Sequence, residues 1–287
     1  MEPREVTAEA PGRVIIEAGL LHLPGAVEVR VEADCERARL EISTDDEYGP
    51  AAAAVAGAAV QWRDGRLSVS VVGEPGNEAG VPVTITGMVP PGCTLEVETT
   101  SAAISTDGVA EVDARSQSGP VVVDKADLLR ARVVDSDVQV GDAFEVDARV
   151  KGRGGIRVDH ARRLDARTTY GDITVKRHDG EAQLHSQDGD ITVENFETGS
   201  VRAGTTRGGV RVNATGPGTV DVVSETGSLT VTADSPETAA LLRVRADSRG
   251  PVTIPKESEG TASQAVATPG IPTRSFDGRN ADRGLQR

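Results

Sequence analysis

Aromatic side chains are scarce in this 287-residue chain: one Trp, two Tyr and three Phe, 2% of the sequence. A core without large rings must be thin and filled by Val, Ile, Leu and Ala. That suits narrow β layers and argues against a wide helical core. Cysteine is nearly absent as well. Cys35 and Cys93 are the two present, and neither sits in a CxxC or Cys/His pattern. Two free thiols is the plainer reading, and one disulfide between them stays open. Long apolar runs are missing: the longest small-apolar stretch, residues 51–60, is about half of the ~20 residues that span a bilayer. The opening MEPREVTAEAPGRV carries acids where a signal peptide needs a basic start and then an apolar run. The expectation is a cytoplasmic protein without membrane insertion.

Positive charge is in the minority, with 31 basic against 45 acidic residues and a net charge of −14. Such a chain repels phosphate backbones, which argues against nucleic acid as a partner. The four histidines, His22, His160, His178 and His185, show no metal spacing such as HExxH. His160 and His178 fall on turns of adjacent repeats and read as exposed. GRGG at Gly152 lacks the GK[ST] ending of a phosphate loop. No cofactor is expected.

What is present is β pattern. Residues 1–93 read as meanders: VIIEA from Val14, VEVRV from Val27 and RLEI from Arg39 are short and β-rich. VQWRDGRLSVSV is a hairpin, because Val60 and Trp62 alternate before Asp64-Gly65 and Leu67, Val69 and Val71 alternate after it. Trp62 reads as the plug of this small core, and the alanine-rich segment before it as one short helix.

Further on, GDITV occurs twice, from Gly171 and from Gly189. Its pattern extends both ways: AAIST from Ala102, GPVVV from Gly119, SDVQV from Ser136, GGIRV from Gly154, GGVRV from Gly208 and GSLTV from Gly227. Their spacings are 17, 17, 18, 17, 18, 19 and 19. Apolar residues recur at the third position (Ile104, Val121, Val138, Ile156, Ile173, Ile191, Val210, Leu229), and polar ones follow. A second strand fills the rest of each period, as in Val112-Asp-Ala114-Arg-Ser116 and Leu164-Asp-Ala166-Arg-Thr168. Period 2 within strands and a period near 18 between them describe one turn of a solenoid. No single coil buries its inner face, but stacked coils pair and share a core. Glycine at the bends suits a corner with positive φ. The fold class is therefore all-β: a parallel β-helix or solenoid of about eight coils, two short strands per coil, preceded by a small antiparallel β domain. The divisions are residues 1–93 as a capping region, 94–254 as the solenoid and 255–287 as a disordered tail, since PKESEGTASQAVATPGIPTRSFDGRNADRGLQR lacks alternation.

Three stretches give the chain a family likeness: AAAAVAGAAVQWRDGRLSVSV, VPVTITGMVPPGCTLEVETTSAAIST, and the repeated SxxGDITV and GxVxAxTxxGGVRV coils. In these, over roughly residues 5 to 232, it resembles the bacterial putative-adhesin family of β-strand-repeat domains of unknown function. The resemblance implies a β-solenoid and names no activity.

Four arginines, Arg115, Arg132, Arg149 and Arg167, precede equivalent positions of successive second strands and should stack facing outward. Beside them run Asp113, Arg130, Asp147 and Asp165. The set reads as a basic stripe for an anionic partner, a protein face or an anionic glycan, or as a solvated Asp/Arg ladder. Asp172 and Asp190 follow glycine in adjacent coils and should also stack; a cation site is the alternative to two solvated bend residues. The hydroxyl column of Thr99, Ser116, Thr168, Ser186, Thr205 and Ser224 reads as structural. With no convergent catalytic cluster, the chain reads as a non-enzymatic interaction scaffold. A carbohydrate-active lyase or hydrolase on the solenoid face and a self-assembling β-helix are the alternatives.

Overall fold

The computed structural model describes residues 6–76 and 79–256; the expected disordered tail falls, from residue 257 on, outside them. In chain order, β1 (Val6–Pro11), β2 (Ile15–Leu21), β3 (Gly25–Val31) and β4 (Arg37–Thr44) precede α1 (Pro50–Ala56) and the hairpin β5 (Ala59–Arg63) and β6 (Arg66–Val72). Next come β7 (Val83–Val89), β8 (Thr94–Thr99), β9 (Ala103–Asp107) and β10 (Glu111–Ser116). Four long strands bend through a corner: β11 (Val121–Val133), β12 (Val138–Arg153), β13 (Ile156–Tyr170) and β14 (Ile173–Asp188). The last coils use β15 (Ile191–Phe196), β16 (Gly199–Arg207), β17 (Val210–Ala214), β18 (Gly218–Ser224), β19 (Leu229–Ala233), α2 (Pro236–Ala240), β20 (Leu242–Ser248) and β21 (Val252–Thr253). No helix among the described residues is long and apolar enough to cross a membrane.

These strands form one sheet wound into two parallel walls. The first wall runs β6–β2–β8–β10, continues through the second halves of β11 to β14, and ends with β16, β18 and β20. The second wall runs β7–β3–β9, then the first halves of β11 to β14, then β15, β17, β19 and β21.

The antiparallel part is narrower than expected. It consists of β1–β4–β7 and β5–β6. β2/β3 and β6/β7 are instead parallel coils of the same stack, and β2 pairs with β6 on one side and β8 on the other. Hydrogen bonding therefore runs without a break across residue 93. The chain's first coil sits second in space, because its alternating Ile16, Ala18 and Leu20 fit the same inward column as Leu95 and Val97.

The core is a set of apolar ladders. Ile104, Val121, Val138, Ile156, Ile173, Ile191, Val210 and Leu229 stand opposite one another from coil to coil, each at most 2% exposed. Each such burial stabilises by about 1.5–3 kcal/mol relative to exposure. The corner glycines are required mainly by close approach. Gly154 and Gly208 have positive φ, as the bends suggested, but Gly171 has none; there a Cβ would run into the carbonyl oxygen of Gly154 one coil away.

Two aromatic positions differ from expectation. Trp62 is 45% exposed, because β5 is the outermost strand on its wall, paired among the described strands only with β6 and exposed along its whole length. His178 is buried where an exposed turn residue was expected, and stacks on the fully buried Phe196. Both occupy the inner corner column, which holds Ala143 and Ala161 in earlier coils. Gly218 makes room for the Phe196 ring, which a Cβ there would strike.

Candidate interaction face

The first wall presents two outward columns. One carries Glu17, Glu96, Asp113, Arg130, Asp147 and Asp165; the other carries Gly19, Glu98, Arg115, Arg132, Arg149 and Arg167. The four expected arginines thus occupy successive strands in one register, about 4.8 Å apart. They are not equivalent. Arg167 forms a two-point pair with Asp165 at 2.9 and 3.0 Å. Arg115 lies 3.4 Å from Asp113. Arg132 and Arg149 share one carboxylate, Asp147, at 3.1 and 3.2 Å. The Nη1 atom of Arg132 is buried and has no hydrogen-bond partner. Cationic excess is therefore concentrated on β11 and β12, where Lys151 is also exposed.

The column continues into His185, on the strand beside Arg167, and then Gly204. At its other end the wall turns acidic. The Ser68 hydroxyl and the Arg66 guanidinium hold the Glu17 carboxyl below the usual carboxylate range, and Arg66 also reaches Glu96 at 3.1 Å. An open cleft of about 350 Å³ lies over Gly19, lined by Glu17, Ser70, Glu98, Asp113 and Arg115 among others.

Phe144 and Tyr170 flank this wall on β12 and β13. They are 48% and 51% exposed, and the Arg163 guanidinium sits 5.8 Å from the Phe144 ring centroid. Of the described aromatics, Phe196 alone is buried, so rings otherwise lie at the surface. Exposed aromatics beside arginine are the composition of recognition surfaces.

Asp172 and Asp190 do stack, and each carboxylate is engaged by backbone. Asp172 accepts from the amide of Asp190 at 2.8 Å, and Asp190 from that of Gly209 at 2.7 Å. Asp137 likewise accepts from Gly155. The column therefore ties coil to coil. Among the described residues no group of three or more His, Cys, Asp or Glu could hold a metal ion.

The hydroxyl column is buried and turned onto the corners: Thr168, Ser186, Thr205 and Ser224 donate to the carbonyls of Gly154, Gly171, Gly189 and Gly208. His160 lies in a corner cleft of about 550 Å³ beside Phe144 and Arg162. Both of its ring nitrogens meet carboxylates, Asp142 at 2.8 Å and Asp179 at 3.1 Å, so it clasps three successive coils. Both cysteines are free, and burial raises the Cys93 thiol pKa.

The Toastrack DUF4097 family model matches residues 84–262, more than half of the chain, so the chain belongs to that family. No curated protein matches it. Among solved structures it is similar to a putative adhesin from Parabacteroides merdae, with 13% identity and a TM-score of 0.48 over 88% of this chain and 95% of that one. It is also similar to a putative lipid binding protein from Parabacteroides distasonis, with 13% identity and a TM-score of 0.47 over 87% and 95%. A putative adhesin from Bacteroides fragilis aligns at 15% identity and a TM-score of 0.32 over 85% and 97%.

Proposed function

We propose that this Toastrack DUF4097 chain is a non-enzymatic interaction scaffold whose first wall takes an anionic partner on Arg115, Arg132, Arg149 and Arg167. The carrying observation is the Arg132–Asp147–Arg149 arrangement, in which two partly exposed guanidiniums share one carboxylate. The solvent-facing parts of both guanidiniums remain open to a second carboxylate or a sulfate oxygen, and such charge-assisted hydrogen bonds are the strong ones. The stacked backbone holds the guanidiniums in fixed rows, so little ordering is needed on binding. The buried hydroxyls engaged at the corners and the doubly held His160 support a binding role over a catalytic one, because neither presents an activated nucleophile or a free base.

The test uses immobilised dextran sulfate and polyglutamate as probes. The wild-type chain is expected to bind at low salt, and Arg132→Glu/Arg149→Glu to bind at least tenfold more weakly. Arg211→Glu, on the exposed side of the second wall, is the charge-matched control and should lose little. Equal losses in both variants would mean that the wall is not the site.

A further inference from the structure

The first wall changes sign along its length. Reading the column from its N-terminal end, Gly19 on β2 and Glu98 on β8 precede Arg115, Arg132 and Arg149. The neighbouring column carries Glu17 and Glu96, then Asp113 and Arg130. Glu17 and Glu96 flank Arg66, whereas Glu98 is exposed. One wall therefore bears an acidic end, with a cleft over Gly19, next to a cationic middle.

We infer that the anionic partner of the arginine column is the acidic end of a second copy of this chain, docked wall to wall about a two-fold axis parallel to the strands and centred over β10. This rests on the reading of the first wall as a binding surface. Such an axis reverses the order of coils and keeps side-chain columns facing like columns. β8 of one copy then lies on β11 of the other. Glu98 faces Arg132 of the second copy, Glu96 faces its Arg130, and the Gly19 cleft receives its Arg149. Every contact occurs twice, as a self-complementary two-fold interface demands. At the axis Arg115 meets its own counterpart, and each brings Asp113 with it. The Asp147 carboxylate that approaches Glu17 is already neutralised by Arg132 and Arg149.

Strands on the axis lie parallel, and sheet twist turns the two walls apart with distance from it, so contact stays near β2 to β12. The contact belongs to the small, transient class below about 1,200 Å². Its attraction comes from exposed charges and is screened by salt.

Sedimentation velocity on the full chain over a concentration series, at low and high salt, tests this. The wild type is expected to form dimers at low salt that dissociate at high salt. Glu98→Arg alone and Arg132→Glu alone should each raise the dimer dissociation constant at least tenfold. An equimolar mixture of the two should dimerise again: the new arginine of one copy faces the new glutamate of the other, and the native pair survives across the second contact. That rescue separates an interface effect from misfolding. A wild type that stays monomeric at low salt, or a mixture no better than its components, overturns the inference. If the monomeric chain still binds dextran sulfate in an Arg132-dependent way, the second-copy inference fails alone; if that binding is absent too, the reading of the wall fails with it.

Discussion

Arg132 and Arg149 stand opposite each other on β11 and β12 and divide the Asp147 carboxylate between them, at 3.1 and 3.2 Å. Asp147 is thus the local neutraliser of the cationic patch. Asp147→Asn leaves both guanidiniums without it. Affinity for dextran sulfate is expected to rise severalfold at low salt, with the gain vanishing as salt is added. Thermal stability should move little, since exposed ion pairs contribute about 0–1 kcal/mol. Unchanged affinity would contradict the role assigned to this pair.

The corner glycines predict a sharp contrast within one residue type. Gly171→Ala drives a methyl group into the Gly154 carbonyl and should destabilise by roughly 2–4 kcal/mol, with a lowered Tm. Gly19→Ala meets Ser70 Oγ at 3.4 Å, an accommodating side chain, and should change stability little. Denaturant titration of both variants gives the comparison.

His178 makes stability depend on pH. Its Nδ1–H donates to the Ala161 carbonyl at 2.8 Å, while Nε2 is buried without a partner. Burial holds its pKa below the ordinary 6.5. Below pH 6.5 the unfolded chain therefore binds more protons at this residue than the folded one. Its contribution is fully present above that pH and declines as pH falls toward the folded-state pKa. Urea unfolding between pH 7.5 and 5 should show this slope, and His178→Leu should reduce it. An identical pH profile in the variant would refute the assignment.

The Asp172 column separates a coil tie from a cation site. Asp172→Asn keeps an oxygen acceptor for the Asp190 amide, whereas Asp172→Ala removes it. The alanine variant should lose about 1–2 kcal/mol and the asparagine variant less. Added Ca²⁺ should shift the Tm of neither the wild type nor the asparagine variant. A Ca²⁺-dependent rise in the wild type that Asp172→Asn abolishes would favour the cation site.

The stack was legible wherever one period repeated. Ile104 to Leu229 alternate every second residue and recur near every eighteenth, and both regularities follow from backbone geometry. β2 and β3 were not legible as coils, because residues 32–65, with α1 and the β4 and β5 caps, interrupt the period and the spatial order departs from chain order. Trp62 misled because alternation reports which face a residue takes, not whether anything covers that face. His178 and Phe196 lie at the corner, where the β13–β14 register shifts between Ala161 and Arg163 and alternation gives out. The arginine column followed from the repeat, but the sharing of Asp147 depends on side-chain conformation. Glu98 carried a usable signal: it precedes Thr99 as Arg115 precedes Ser116, which extends the column into its acidic end.

The central claim, that the first wall is the binding surface, is tested most directly by arginine footprinting. The full chain would be labelled with phenylglyoxal, with and without dextran sulfate, and read by mass spectrometry residue by residue. The account predicts protection of Arg132 and Arg149 together, with Arg157 and Arg211 on the second wall labelled equally in both samples. Uniform protection of both walls, or protection confined to Arg157 and Arg211, would contradict it.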